Sequence, residues 1–111
     1  MLVIAHRGAS AAFADNTLEA FAEAVAQRAD GVELDVRRTA DRRLALSHDD
    51  ALADGRLVVE TASGDLPPHV TDLASALDVC QPLSVVNIEI KNWPDDADFD
   101  PREQLADDVV A

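Results

Sequence analysis

Cysteine and lysine each occur only once in this chain of 111 residues. A lone cysteine, Cys80, excludes an intrachain disulfide and a cysteine-based zinc cluster. No apolar run approaches the ~18 residues that a membrane-spanning helix requires, and the apolar start at 2–5 lacks a basic leader. We therefore expect a cytoplasmic protein with no stable membrane insertion. Neither a Walker phosphate loop nor a dinucleotide-binding fingerprint occurs, which argues against nucleotide-binding folds of those types.

Basic residues are also scarce, and the charge is one-sided. The chain has 16 Asp and 6 Glu against 8 Arg and 1 Lys, which gives a formal net charge of −13. Such a surface repels nucleic acids and anionic bilayers, so we expect no nucleic-acid partner. Apolar residues make up 48% of the chain, enough to bury a core, and the length suits one small domain.

Alternating strand and helix signals predict an α/β fold with mostly parallel strands. The predicted strands are 2–5, 31–36, 44–48 and 85–91, and the predicted helices begin after Asn16, Thr71 and Asp100. Residues 49–70 are predicted to form a long loop with a short strand at 57–59.

The two middle strands are predicted to form an antiparallel hairpin. Only seven residues separate Val36 from Leu44, too few for a parallel crossover. A two-residue turn at 41–42 would place Asp35 opposite His48. Neither turn residue is glycine, so a register shifted by one residue remains open.

Polar clusters lie at the carboxyl ends of the predicted strands, where parallel α/β folds bind their ligands. These clusters are His6-Arg7-Gly8, Glu33 with Asp35, His48-Asp49, and Glu89 with Lys91. Their joint placement predicts a ligand site.

Carboxylates dominate this predicted site. Glu33 and Asp35 share one face of a strand, and burying both without a partner would be costly. A divalent cation would relieve that cost, with Glu89 as a third oxygen donor, and oxygen ligands favour Mg²⁺ or Ca²⁺. A solvent-facing antiparallel strand with an acidic outer side fits the same alternation.

Two histidines and two cations complete the candidate set. His6 and His48 could form an acid–base pair, one taking a proton from a nucleophile and the other protonating a leaving oxygen. Arg7 could hold phosphate oxygens through its planar fork. Lys91 could grip an anion or balance the carboxylates, and a plain structural ion pair is the alternative. His69, in a proline-rich loop, is expected to be exposed and without a role.

In chain order, these clusters resemble the glycerophosphodiester phosphodiesterase family. The shared segments are Ala5-His6-Arg7-Gly8, Asp15-Asn16-Thr17, Glu33-Leu34-Asp35-Val36, His48-Asp49 and Ile88-Glu89-Ile90-Lys91. The resemblance implies a TIM barrel that hydrolyses small glycerophosphodiester substrates to an alcohol and glycerol 3-phosphate with a divalent metal. It further implies metal ligands at Glu33, Asp35 and Glu89, an acid–base pair at His6 and His48, and phosphate contacts from Arg7 and Lys91.

Length is the largest departure from that family. A TIM barrel needs about 250 residues, so we expect residues 1–111 to be the N-terminal part of the catalytic domain, only about the first half of the barrel. A complementing barrel half or self-association is the expected partner. The alternatives are a non-catalytic truncated paralogue or fragment, and a phospholipase-type enzyme of the same barrel. Asp15 stands where the family usually has Glu, and 41–42 replaces the usual Asp-Gly turn.

Overall fold

Four strands and three helices follow one another in the predicted order, β–α–β–β–α–β–α. The computed structural model describes residues 2–11 and 13–110. Its strands are β1 (Ile4–His6), β2 (Gly31–Arg38), β3 (Leu44–Leu46) and β4 (Val85–Ile90). Its helices are α1 (Leu18–Ala26), α2 (Leu73–Val79) and α3 (Gln104–Val110). No helix in the described part of the chain is long and apolar enough to cross a bilayer.

Strand β2 is the centre of the sheet. Its residues 31–33 pair in parallel with both β1 and β4, so these two strands occupy its opposite edges. Strand β3 pairs antiparallel with the far end of β2, at 36–38, beyond the end of β1. The carboxyl ends of three parallel strands therefore open at one end of the sheet.

The hairpin between β2 and β3 has a loop of three residues, 40–42, rather than the predicted two. Arg42 takes a left-handed φ of 61°, as the last residue of such a loop does. The extra residue shifts the register by one, and the backbone N–H of Ser47 donates to the carbonyl oxygen of Asp35 at 3.1 Å. The prediction that Asp35 lies opposite His48 is therefore wrong, and His48 lies beyond the end of β3.

Helix α1 begins one residue later than the sequence predicts. Thr17, not Asn16, is the N-cap, and its hydroxyl accepts a hydrogen bond from the backbone N–H of Ala20 at 3.2 Å. Asn16 instead takes a left-handed φ of 58° and turns its side chain to the sheet. The same one-residue error occurs at α2, which Asp72 caps rather than Thr71.

Two other predicted elements differ in extent. The predicted strand at 57–59 is a single isolated bridge to Ala51 followed by a short 3-10 turn, Val58–Glu60. Helix α3 begins at Gln104 rather than directly after Asp100, because Glu103 takes a left-handed φ of 57° that interrupts the helical backbone.

Both faces of β2 are buried. Val32, Leu34 and Val36 pack with apolar residues of α1 and α2, such as Phe21 and Ala76, in the main core. The opposite face carries charged side chains, and these are buried as well: Glu33 is 8% exposed, Asp35 0% and Arg37 2%. A solvent-facing acidic strand is thereby excluded, and the buried charges require partners.

Candidate functional site

The strand register brings three carboxylates together. Asp35 of β2 pairs directly with Glu89 of β4, and Glu33 lies two residues earlier on the same face of β2. Each of the three offers an oxygen, and these oxygens all lie within 4.8 Å of one another. We call Glu33, Asp35 and Glu89 the acid cluster. The cluster is a product of parallel pairing between strands that lie 54 residues apart in the chain.

Asp35 lies at the centre of the site and has the most partners. Its Oδ2 accepts a hydrogen bond from Asn16 Nδ2 at 3.0 Å and lies 3.3 Å from Arg7 Nε, while its Oδ1 lies 3.7 Å from Lys91 Nζ. Burial alone would raise the pKa of this carboxyl. The Asn16 hydrogen bond, with the charges of Lys91 and Arg7, outweighs burial and holds the pKa below its ordinary value.

Glu33 has the opposite environment. Burial, followed by the charges of Asp35 and Glu89, raises its pKa to about 7. His6 Nε2 lies 3.2 Å from its Oε2, yet neither Glu33 oxygen accepts a hydrogen bond from the described residues. The two neighbouring acids of β2 thus have pKa values pushed in opposite directions.

Unsatisfied oxygens show what the acid cluster lacks. Both carboxylate oxygens of Glu33 and the Oδ1 of Asp35 are buried without a hydrogen-bond donor among the described residues. Buried acceptors are costly unless something positive compensates them. Three carboxylates from two adjacent strands form the hard oxygen donor set that divalent cations such as Mg²⁺ and Ca²⁺ take. The residues present therefore fit a metal site.

The predicted histidines lie at two different strand ends. His6 is the last residue of β1, with its side chain 64% exposed beside Glu33. His48 lies two residues past β3 and is 43% exposed, and its Nδ1 lies 2.7 Å from Asp49 Oδ1. Each imidazole therefore lies beside one carboxylate and is open to solvent.

Arg7 connects the acid cluster to the loop before α1. Its Nε lies 3.3 Å from Asp35, and its Nη1 donates to Asp15 Oδ2 at 2.9 Å. Its backbone, at a φ of 57°, donates to the carbonyl oxygen of Glu33 at 2.8 Å. The next residue must be glycine, because a Cβ on Gly8 would lie 2.7 Å from the Cβ of Ala20 and its φ is +84°.

Lys91 balances the acids from the other edge. Its side chain is 8% exposed, and Nζ lies 3.0 Å from Glu89 Oε1 and 3.7 Å from Asp35 Oδ1. This placement is compatible with both roles that the sequence leaves open for Lys91. The ammonium can act as a counter-charge for the carboxylates, and it can contact an anion held beside them.

The sequence interpretation missed two residues of the site. The sequence predicts Asn16 as a helix cap, and none of its neighbours in the chain indicates its contact with Asp35, 19 residues away. Arg37 continues the alternation of Glu33 and Asp35 on the buried face of β2, so the strand alternation places it on the same face as the two acids. Its Nη1 donates to both carboxylate oxygens of Asp98 at 2.9 Å, and its Nη2 donates to the carbonyl oxygen of His48 at 2.7 Å.

A parallel α/β sheet that gathers carboxylates, histidines and an arginine at the carboxyl ends of its strands has the arrangement in which parallel α/β folds of the barrel class bind their ligands. A sequence model of the Glycerophosphoryl diester phosphodiesterase family matches residues 6–76, more than half of the chain. The chain belongs to that family.

Individual relatives agree with this assignment. A glycerophosphodiester phosphodiesterase of Bacillus altitudinis is 48% identical over 50 residues, which are 45% of this chain and 20% of that protein. The crystal structure of a glycerophosphodiester phosphodiesterase from Thermotoga maritima superimposes with a TM-score of 0.81 at 31% identity, covering 99% of this chain and 48% of that one. A phosphodiesterase of Oleispira antarctica, in complex with the product sn-glycerol-3-phosphate, gives a TM-score of 0.76 at 29% identity over 82% of this chain and 44% of that one.

The chain spans about half the length of the solved structures it matches. The predicted family is confirmed, and so is the fold, an α/β arrangement of the TIM-barrel type of which the described strands form about half.

Proposed function

We propose that this chain carries the metal-binding and acid–base residues of a phosphoric diester hydrolase that cleaves glycerophosphodiesters to an alcohol and glycerol 3-phosphate. Residues 1–111 are, in this proposal, the N-terminal part of the catalytic domain, which a second barrel half complements. The observation that carries the proposal is the acid cluster, in which both oxygens of Glu33 and the Oδ1 of Asp35 are buried without a donor among the described residues, beside Arg7 and His6.

The acid cluster would hold the cofactor. Glu33, Asp35 and Glu89 supply only carboxylate oxygens, so the proposed ion is Mg²⁺ or Ca²⁺. When bound, such an ion neutralises charge on the phosphate and orients the attacking oxygen. A phosphodiester has one negative charge, which the cluster alone would repel.

Two cations of the chain would hold the phosphate. Arg7 already lies between the acid cluster and the loop before α1, and its guanidinium presents several N–H donors in one plane, which matches two phosphate oxygens. Lys91 approaches from β4 on the other side of Asp35 and adds a second positive charge. Together they would fix the phosphorus above the carboxyl end of β2.

His6 and His48 would move the protons. One would take the proton of the attacking hydroxyl and the other would give a proton to the departing alcohol oxygen. When His48 donates from Nδ1 to Asp49, its Nε2 carries the lone pair that can accept a proton. Arg37 holds the His48 backbone, so the ring is carried on a fixed support.

The activity is tested with glycerophosphocholine or bis-p-nitrophenyl phosphate and with Mg²⁺ or Ca²⁺, on this chain alone and on the chain joined to a C-terminal barrel half from a solved relative. We expect the joined protein to release glycerol 3-phosphate, and His6→Ala and His48→Ala each to lower kcat at least 100-fold, the usual contribution of one acid–base group. Glu19→Gln, an exposed acid on α1, is the control. Full activity with both histidines removed would contradict the proposal.

A further inference from the structure

The loop that follows β4 is closed by its own first side chain. We call residues 92–100 the β4 loop. Asn92 Nδ2 donates to the carbonyl oxygen of Asp100, and Asn92 Oδ1 accepts from the backbone N–H of Asp100, both at 2.8 Å. Hydrogen bonds between a side-chain amide and the backbone give a loop a defined conformation in place of a helix or strand. The β4 loop is therefore a closed unit that can be fixed at a few points.

Two anchors join the β4 loop to the segment that carries His48. Arg37 Nη1 donates to both carboxylate oxygens of Asp98 at 2.9 Å, and Arg37 Nη2 donates to the carbonyl oxygen of His48 at 2.7 Å. The second anchor is direct, because the backbone N–H of Ala97 donates to Asp50 Oδ2 at 2.8 Å. The chain around His48 is thus attached to one loop at two points, at residue 48 and at residue 50.

Arg37 can hold His48 only while its own charge is compensated. Its side chain is 3% exposed, and its Nε is buried without an acceptor among the described residues. The carboxylate of Asp98, itself 5% exposed, supplies the opposite charge, and Asp96 Oδ2 lies 3.1 Å from Nη1. A buried cation that loses its partner is strongly disfavoured. Without the charge of Asp98, the guanidinium would move toward Asp96 and solvent and release the carbonyl oxygen of His48.

The side chain of His48 has little support of its own. Its ring is 43% exposed, and Asp49 is its hydrogen-bond partner among the described residues. The position of the ring relative to the acid cluster is therefore set by its backbone. That backbone is held on β2, since the N–H of Ser47 donates to the carbonyl oxygen of Asp35 at 3.1 Å, and Arg37 belongs to the same strand.

We propose that Asp98 and Asp50 are positioning residues for His48, which hold the β4 loop and Arg37 against the His48 backbone and so keep the imidazole in place beside the acid cluster. This proposal rests on the proposed function for the part of His48 in the reaction. Both acids act through His48 and not on the substrate. A displacement of about 1 Å in a reacting group costs on the order of 100-fold in rate, so loss of either anchor should lower kcat rather than raise KM.

Kinetics on the joined protein test the role of Asp98. We expect Asp98→Asn, which keeps the shape and removes the charge, to lower kcat for glycerophosphocholine about tenfold with KM within about twofold. In a protein that already carries His48→Ala the same change should have no further effect, whereas beside His6→Ala it should keep its full effect. Equal losses in both backgrounds would mean a merely structural role and would overturn the proposal. Asp95→Asn, an exposed acid of the β4 loop, is the control.

The second anchor offers a milder change. Asp50→Ala removes an exposed hydrogen bond and should leave the chain folded. We expect kcat to fall in the same direction, and Asp50→Asn, which keeps an oxygen acceptor for the N–H of Ala97, should restore most of the loss. If Asp50→Asn were no more active than Asp50→Ala, the contact between Asp50 and Ala97 would not position His48.

NMR spectra of the 111-residue chain separate this proposal from the proposed function. With labelled histidines, Asp98→Asn should shift or broaden the ring signals of His48 and leave those of His6 and His69 unchanged. If the joined protein hydrolyses no diester while the His48 signals alone respond, the positioning stands and the proposed function falls. If the His48 signals of Asp98→Asn match those of the parent chain, the positioning falls whatever the activity.

Discussion

The carbonyl oxygen of His48 accepts a 2.7 Å hydrogen bond from Nη2 of Arg37, whose side chain is only 3% exposed. Nη1 of the same guanidinium donates two hydrogen bonds of 2.9 Å to the carboxylate of Asp98 and lies 3.1 Å from Asp96 Oδ2. One buried cation of β2 therefore joins the segment after β3 to the segment after β4. The position of His48 depends on an ion pair formed 50 residues further along the chain.

Loss of Arg37 should be costly. Arg37→Met leaves the carboxylate of Asp98, 5% exposed, and the carbonyl of His48 without their donor. We expect the free energy of unfolding to fall by about 3 kcal/mol, as when one partner of a buried ion pair is removed. Urea denaturation measures the change, with Asp95→Asn, an exposed acid of the same segment, as control. An unchanged midpoint for Arg37→Met would show that the pair contributes nothing.

The contact between Asn16 and Asp35 can be tested without adding strain. Asn16 sits at a φ of 58°, where glycine is tolerated, so Asn16→Gly removes the side chain and keeps the backbone. It takes away the donor to Asp35 Oδ2 and the acceptor that lies 3.3 Å from the Asp35 backbone nitrogen. We expect a loss of about 2 kcal/mol in urea denaturation. Asn16→Asp keeps an acceptor but adds a charge beside Asp35, so a smaller loss with Asp than with Gly would contradict this account.

Divalent ions should stabilise the folded chain through the acid cluster. An ion that binds only the folded state raises the unfolding midpoint with its concentration. Mg²⁺ or Ca²⁺ should therefore raise the midpoint in differential scanning fluorimetry, and Asp35→Asn or Glu89→Gln should abolish the rise. The same rise in both variants would place the ion elsewhere. Glu23→Gln, an acid on α1 away from the cluster, should respond as the parent chain does.

Stability without metal should depend on pH through Glu33. Its pKa is raised from 4.5 to about 7 in the folded chain by burial and then by the charge of Asp35, so the folded state binds the proton more tightly than the unfolded one. This contribution is full below pH 4.5 and is lost as the pH rises through about 7. In a chelator, the unfolding midpoint of the parent should fall over that window relative to Glu33→Gln. Parallel pH profiles for these two proteins would refute the assignment, and Glu60→Gln, an exposed acid, should track the parent.

The sequence predicts the members of the acid cluster because each strand shows its own carboxylates, although the pairing of β2 with β4 is what brings Glu89 to Asp35. The alternation of Glu33 and Asp35 fixes their shared face, and the end of β4 brings Glu89 to the same end of the sheet. The hairpin register is not predictable in the same way. It depends on Arg42 accepting a left-handed φ, and nothing in an arginine signals that conformation.

The predicted first residues of the helices are wrong for a different reason. Asn16 and Thr17 are both good N-caps, and only the distant Asp35 decides which of them is free to cap. Long-range partners also explain why the sequence does not identify Arg37, because the acids that pair with it, Asp96 and Asp98, lie 59 and 61 residues further along the chain. The positions of charged residues along a strand can be predicted from sequence. The partners that neutralise each charge are determined by the fold.

Lys91 is the only lysine of the chain, and its ammonium is buried between Glu89 and Asp35. An amine-reactive label can therefore modify just one side chain, and only when that pair opens. The rate of labelling at Lys91 therefore measures how often the carboxyl end of the sheet opens locally. The ε-amino group of Lys91, followed at that residue by mass spectrometry, thus reports opening of the site without an engineered tag.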